Sequence, residues 1–556
     1  MSDHMHWADN IALQVKERVE SDPRLKEIVA KQGYLVYDEK TPSGEIHVGS
    51  GRGWVINDCI AKALRKLGLT ATFALSSDDM DPYDKPNKDL PESFNQYLGM
   101  CFRDIPSPKP GYKSFGHYYF SQVTEKFGEW GIECGLESTG DNYEQGKFNA
   151  QIKTLLDNAD KVQKIYAEIY GEEVAAANKL PFNVKCPKCK KIATTLASKW
   201  DKEKELVFFE CKDGVVDYAP GCGHSGWISP YNGNGKLPWK VEWAAKWPMK
   251  GVVYETAGKD HFSDGGSRTI ACRIAVDVLN YPPPLPSNGY STGKGYEFFT
   301  VGGAKMSTSK GVGMSFKDAT NYAPAKMLRY LIVKTRPNAV IDFNPYNDND
   351  LILLYERYDE MEDIVYGKKT VSKEEEQMQK RIYELSHIGE QPKTCPPHIS
   401  LNSAGQVLQI ALFDEKKTIE ILREQGLVEK KLSEVDEKAV RERLQFAKKW
   451  IQDFASEQYK FTIQEEVGDS AKAMLSEQQK KALAMLAEKL LGKKYKEKEL
   501  HDEFYAIKDA VGISTQEFFQ AAYQVLIKKD KGPRLASFIL AIGQEKVAQL
   551  LTQVEG

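Results

Sequence analysis

A chain of 556 residues, 41% hydrophobic and 11% aromatic, has material for ample cores and, at ~100–200 residues each, for about two to four domains. Its 76 basic and 79 acidic residues leave a net charge of −3, which excludes a global basic field but leaves local patches for nucleic acid open. Nine cysteines in so long a chain exclude a small disulfide scaffold. With no apolar N-terminal segment and no run near ~18 apolar residues, the chain reads as soluble and cytoplasmic, without a membrane partner.

In chain order, Ile11 to Lys31 reads as an amphipathic helix, and Tyr34-Leu-Val-Tyr37 as a strand. The stretch Thr41-Pro-Ser-Gly-Glu-Ile-His-Val-Gly-Ser50 then leads into a helix-like run, Trp54 to Leu67, and a second strand, Thr72-Phe-Ala-Leu75. This is a βαβ opening of a doubly wound α/β sheet. A glycine-rich turn between strand and helix lets backbone N–H groups and a helix N-terminus approach phosphates. His47, near that helix start, can donate to phosphate oxygens.

From Pro82 the pattern changes to proline-rich turns, then helices around Phe120–Trp130 and Asn149–Tyr170, and the opening sheet resumes only near Val252-Val-Tyr254. Residues 82–238 are therefore expected to be an insertion between two halves of one α/β domain, 1–81 and 239–315. Inside it, Cys186-Pro-Lys-Cys189 is followed by Cys211 and by Cys222-Gly-His224. Four thiolates on a shared Zn²⁺ would replace the core that a loop of this size cannot bury. Cys186, Cys189, Cys211 and Cys222 are the expected ligands, with His224 an alternative to Cys222. The wide spacing of the later pair also fits two buried, unpaired cysteines.

Downstream, Trp239 to Trp247 carries three tryptophans with Glu242 among them, Trp239 and Glu242 sharing a face if the segment is helical. The loop Gly258-Lys-Asp-His261 follows a strand and belongs at the carboxyl edge of the sheet, where ligands bind. In Gly303-Ala-Lys-Met-Ser-Thr-Ser-Lys-Gly311, Lys305 and Lys310 surround two hydroxyls, Ser307 and Ser309. Such a loop can stabilise charge developing on α/β-phosphates in a transition state. With the His47 stretch it makes the two halves of an ATP site that activates a carboxylate as its adenylate. From about Phe316 the chain reads as helix upon helix. Its basic clusters, Lys493-Lys-Tyr-Lys496 and Lys528-Lys-Asp-Lys-Gly-Pro-Arg534, could contact phosphates, with Tyr495 placed to stack on an unpaired base.

These motifs resemble the class I aminoacyl-tRNA synthetases, whose hallmarks are written HIGH and KMSKS. His47-Val-Gly-Ser50 departs at its last position and Lys305-Met-Ser-Thr-Ser309 at its fourth. Within the class, Thr41-Pro-Ser-Gly44, Ser77-Asp-Asp-Met-Asp81, Trp239-Lys-Val-Glu-Trp243 and Gly258-Lys-Asp-His261 look most like class I lysyl-tRNA synthetase, from about Gly33 to the C-terminus. The resemblance implies a Rossmann-type catalytic domain with a zinc-containing insertion that holds the acceptor end of tRNA, followed by an all-α anticodon-binding region at 316–556. It implies ATP and Mg²⁺, L-lysine and tRNA(Lys) as partners; the sequence leaves the oligomeric state open, with a monomer favoured. Catalysis falls to His47, Lys305 and Lys310. ATP falls to Pro42, Ser43, Gly44, His47, Gly49, Ser50, Lys305, Met306, Ser307, Thr308 and Ser309. The amino acid falls to Thr41, Gly44, Trp239, Glu242, His261 and Tyr296. Aromatic faces hold an ammonium only weakly, at roughly 0.5–2 kcal/mol, so an acidic partner is needed from among Glu242, Asp78, Asp79 and Glu45. The alternatives are a tRNA-independent adenylate-forming ligase, an RNA-binding relative with an idle ATP site, and a synthetase for glutamate. A glutamate pocket would want arginines, which Trp239–Trp247 lacks.

Overall fold

Tyr34–Lys40 forms the strand around which the first half of the chain is built. The computed structural model describes residues 5–171, 180–305 and 314–555, the side chains of Lys305 and Glu555 excepted. The strand pairs in parallel with Ala71–Ser77 on one side and Val252–Tyr254 on the other, and Gly135–Ser138 adds to the outer edge. In chain order the sheet runs third, second, first, fourth. The order reverses between Tyr34–Lys40 and Val252–Tyr254, which opens a crevice beyond their carboxyl ends.

The first crossover is the helix Val48–Lys66. It starts at the glycine-rich motif itself, six residues earlier than Trp54, because His47 already takes the extended N-cap conformation. This helix is buried over most of its surface. A Cβ on Gly51 would stand 2.4 Å from the Phe316 ring, and that ring is stacked on Trp130 at 4.7 Å and edge-on to Trp54 at 5.1 Å, so it has nowhere to retreat. Gly51→Ala is expected to cost about 1–3 kcal/mol by overpacking; an unchanged unfolding midpoint in urea would contradict this contact.

Arg52, one residue on, is fully buried, and among the described residues it has no carboxylate within ion-pair distance. Its guanidinium donates instead to the backbone carbonyls of Glu297 (2.7 Å), Phe298 (3.0 Å) and Ala339 (2.6 Å). Those carbonyls flank a small second sheet, in which Phe299–Val301 pairs with Ala304–Lys305 and with Ile341–Asp342. No helix of the described residues is long and apolar enough to cross a membrane.

Several boundaries differ from the sequence expectation. The expected helix Ile11–Lys31 is two, Trp7–Ser21 and Pro23–Gln32, because Asp22 caps the second and Pro23 cannot continue the first. The sheet resumes at Gly135–Ser138, inside the segment expected to be an uninterrupted insertion. That edge strand is four residues long and mostly exposed, so it carries no apolar signal. The structure divides into two units, and no single cut at 316 separates them. One unit holds Met1–Thr320, Ala325–Phe343 and Val371–Gln391; the other holds Asn321–Pro324, Asn344–Thr370 and Pro392–Gly556. Helix Ala325–Val333 stays with the first unit because Arg329 is buried in an ion pair with Asp58. Helix Lys373–Ser386 stays there through Arg381 on Asp9.

The second unit is helical throughout its described residues. Ser476 and Ser514 open two of its helices with reciprocal capping boxes, and Arg443 reaches Asp359 through two bonds of 2.6 and 3.0 Å. Tyr495 is not available for stacking. It is buried, and its hydroxyl is 3.2 Å from Glu503.

Candidate active site

The crevice at the strand reversal is a cleft of about 490 Å³, lined by Asp38–Thr41, Ser43, Asp78, Asp81, Trp239, Trp243, Glu255–Ala257 and His261, among others. Each group comes from the end of a strand or the start of a helix. Asp38 to Thr41 close the first strand, Asp78 and Asp81 follow the second, and Glu255 to Ala257 follow the fourth. Trp239 and Trp243 lie on one face of helix Trp239–Lys250, stacked at 6.0 Å. The His261 ring meets Trp243 edge-on at 5.5 Å. The lining of the cleft is therefore aromatic and mainly acidic, with one lysine, Lys40, among it.

Behind the acids lies a buried charge network. Lys236 Nζ is 3.2 Å from Asp78 and 3.3 Å from Glu242, and also pairs with Asp81. Lys246 Nζ is 2.7 Å from Glu242 and pairs with Glu39. Tyr143 donates to Glu242 at 2.6 Å, Thr139 to Glu39 at 2.6 Å, and Thr41 to Asp81 at 3.1 Å. The acids of this network, Glu39, Asp78, Asp81 and Glu242, outnumber its lysines, 236 and 246, by two. Burial accordingly raises Glu39 to about 8, with Lys246 opposing, and raises Asp81 to about 7 with help from Asp78. Asp38 rises to about 8 through burial and the nearby Glu255. Asp78 moves the other way: burial is outweighed by Lys236 and Lys246. Burial thus favours the neutral form of these carboxylates, and a further cation beside them would favour the charged form.

Of the sequence-derived residues, Thr41, Ser43, Trp239 and His261 line this cleft. Glu242 does not: it is completely buried, its oxygens engaged by Tyr143 and both lysines. Asp79 is held by Gly140 N–H, Ser138 and Arg103, and Glu45 faces Lys317 at 3.5 Å. Asp78 alone of the four candidate acids reaches the cleft. Tyr296 runs beside Gly258 and packs its hydroxyl where a Cβ of Gly53 would stand, 2.8 Å away. Its backbone N–H holds the Ala257 carbonyl at 3.0 Å, so it backs the cleft wall. Gly44 approaches Asn87, whose side-chain nitrogen would be 3.3 Å from a Cβ there, and Pro42 packs close to Gly116, where a Cβ would stand 3.2 Å from its Cγ. Asp38, Glu39, Asp81, Lys236 and Lys246 escaped the sequence reading. For Asp38, Glu39 and Asp81 the usable signal was charge at the ends of strand-like runs; Lys246, inside a helix, and Lys236, in a two-residue strand, offered none.

His47 N-caps helix Val48–Lys66, and Gly49 and Ser50 form its first turn. The chain after the second motif returns to this point: Val48 N–H bonds the Met314 carbonyl and Phe316 N–H the Ile46 carbonyl, both at 2.9 Å. Lys305 ends the strand Ala304–Lys305. Met306, Ser307, Thr308, Ser309 and Lys310 lie outside the described residues.

In the segment between, four thiols converge. Cys186 Sγ is 3.6 Å from Cys222 Sγ, and Cys189 Sγ is 3.7 Å from Cys211 Sγ. All four can face one ion, whereas His224 turns its ring to Phe209. An all-sulfur tetrahedral set fits Zn²⁺.

The family model described as tRNA synthetases class I (K) matches residues 5–389. A lysine–tRNA ligase of Methanocaldococcus jannaschii is 32% identical, over 98% of this chain and 98% of its own length. One from Archaeoglobus fulgidus is 31% identical over 98% and 99%, and one from Treponema pallidum 31% over 99% and 98%.

Proposed function

The chain belongs to the class I (K) tRNA synthetases, and on that premise we propose that it activates L-lysine with ATP as lysyl-adenylate and joins it to the terminal ribose of tRNA(Lys), releasing AMP and pyrophosphate. The observation that carries this is the acid-rich network opening on an aromatic-walled cleft. Its missing positive charge matches a substrate with two ammonium groups and an apolar stem. Asp38, Glu39, Asp78 and Asp81 are the ammonium partners, Trp239 and Trp243 hold the stem, and His261 and Thr41 orient the reacting end.

The amino-acid carboxylate attacks the α-phosphate of ATP. The first turn after His47 presents N–H groups to the phosphates, His47 donates to the departing pyrophosphate, and Lys305 and Lys310 neutralise its charge. Mg²⁺, when bound with ATP, shares that charge. The Cys186, Cys189, Cys211 and Cys222 set holds a structural Zn²⁺ in the insertion that presents the acceptor end. The helical unit reads the anticodon. We assign the protein to the cytoplasm, as a monomer.

Amino-acid-dependent ATP–pyrophosphate exchange across the twenty amino acids, with and without total tRNA, tests the reading. Exchange with lysine alone is expected; exchange with another amino acid discards the pocket assignment, and silence under both conditions favours an idle RNA-binding relative.

The raised carboxylates add a pH signature. Glu39 near 8 and Asp81 near 7 are largely protonated in the empty cleft at pH 6, so binding an ammonium there requires proton loss. KM for lysine is expected to fall by roughly tenfold from about pH 6 to about pH 8, while the ligand's own amine, with a pKa near ~10.4, stays charged. A flat KM over that range would remove these acids from the lysine site.

A further inference from the structure

The helical unit carries a cluster that the reaction does not use. Helix Asp348–Val365 presents Asp359, Glu362 and Asp363 at i, i+3 and i+4, and the turn Cys395-Pro-Pro-His398 lies against that face. His398 Nε2 is 2.9 Å from Glu362 Oε2, and its Nδ1 is 3.2 Å from Asp363 Oδ1. Cys395 Sγ is 3.8 Å from His398 Nε2 and 3.9 Å from Asp363 Oδ1. The side chains of His398 and Glu362 are only 16% and 7% exposed. Asp359 is taken by Arg443, which leaves a thiol, an imidazole and two carboxylates sharing one pocket.

We propose that Cys395, His398 and Asp363 form a second transition-metal site, for Zn²⁺ or a similar borderline divalent ion, separate from the four-thiol site of the insertion. Their donor atoms lie within 4.8 Å of one another, a limit that the four thiols also meet. Sulfur, nitrogen and oxygen donors together favour Zn²⁺ over Mg²⁺ or Ca²⁺, which take oxygen. The Cys-x-x-His spacing brings two ligands to the ion from one turn, as Cys-x-x-Cys does. Pro396 and Pro397 fix two φ angles of that turn, so less chain entropy is lost when the ion closes it. One ring nitrogen of His398 ligates, and the other donates to a carboxylate that sets the ring's orientation. Glu362 is the residue placed for that second task. Binding displaces the thiol proton and one imidazole proton, and water completes the coordination. The ion clasps the segment from Pro392 onto helix Asp348–Val365. The competing arrangement is a metal-free salt bridge, with protonated His398 between Glu362 and Asp363.

The test uses full-length protein stripped with a chelator, reloaded with Zn²⁺ and desalted. Metal per chain is measured for wild type and for the Cys395→Ala/His398→Gln double variant. Alkylation of Cys395 in wild type, with and without Zn²⁺, is followed by peptide mass spectrometry. The variant is expected to hold one equivalent fewer, and Zn²⁺ to slow Cys395 alkylation by at least about tenfold, as a thiolate held on a metal would require. Equal zinc content together with equal alkylation rates would overturn the site and leave the salt bridge. If the double variant does not fold, the wild-type alkylation rates decide alone.

Discussion

Lys236→Ala is expected to destabilise the first unit by about 3–5 kcal/mol, the loss typical when one partner of a buried ion pair is removed and its counter-charges remain. Lys236 is 2% exposed and faces Asp78, Asp81 and Glu242. Without it these acids must be neutralised by protons, and Asp81, already near 7, rises further. The sign follows from that. A carboxylate raised in the folded state adds stability below its unfolded pKa, and that contribution disappears as pH climbs through the raised value. The deficit should therefore be largest at pH 8 and shrink towards pH 5. Urea unfolding at both values checks it; a loss under about 1 kcal/mol at pH 8 would mean that water reaches the network.

His47→Ala should lower the rate of ATP–pyrophosphate exchange by about 10²–10³-fold, the usual cost of losing one donor aimed at charge that develops in the transition state. The fold should survive, because His47 caps its helix through the backbone conformation, and its side chain makes no capping hydrogen bond. A thermal midpoint close to wild type alongside the lost exchange is the expected pair of results. Normal exchange would remove His47 from the chemistry. Loss of both activity and fold would make it a structural residue instead.

Much of the catalytic half could be read from sequence because its signals are local. A strand, a glycine-rich turn and a helix follow one another between Tyr34 and Lys66, and the apolar rhythm marks each. The Cys-x-x-Cys pair is equally local, and Cys211 and Cys222 lie beside it in space. The acidic side of the cleft was hidden because it is assembled from separate segments: Glu39 closes one strand, Asp81 follows another, and Lys236 arrives from a two-residue ladder in which Asn183 and Val184 pair with Lys236 and Gly235. No spacing rule links them. Glu242 misled for a related reason. It was expected on one face with Trp239, whereas Trp239 lines the cleft with Trp243 and Glu242 is buried behind it; in sequence an acid beside tryptophans looks the same whether it meets a ligand or two buried lysines. Tyr495 fell to the same ambiguity, its basic neighbours suggesting exposure where the ring is packed.

Arg52 has one more consequence. Its guanidinium joins the helix that opens with the first motif to the backbone at Glu297, Phe298 and Ala339, which brackets the strand leading into the second motif. Between these two pieces the chain makes its long excursion through the thiol-bearing segment. Arg52 therefore ties that helix to the second sheet by bonds that do not pass through the thiol-bearing segment. Length changes confined to the loops around the thiols would leave this tie intact.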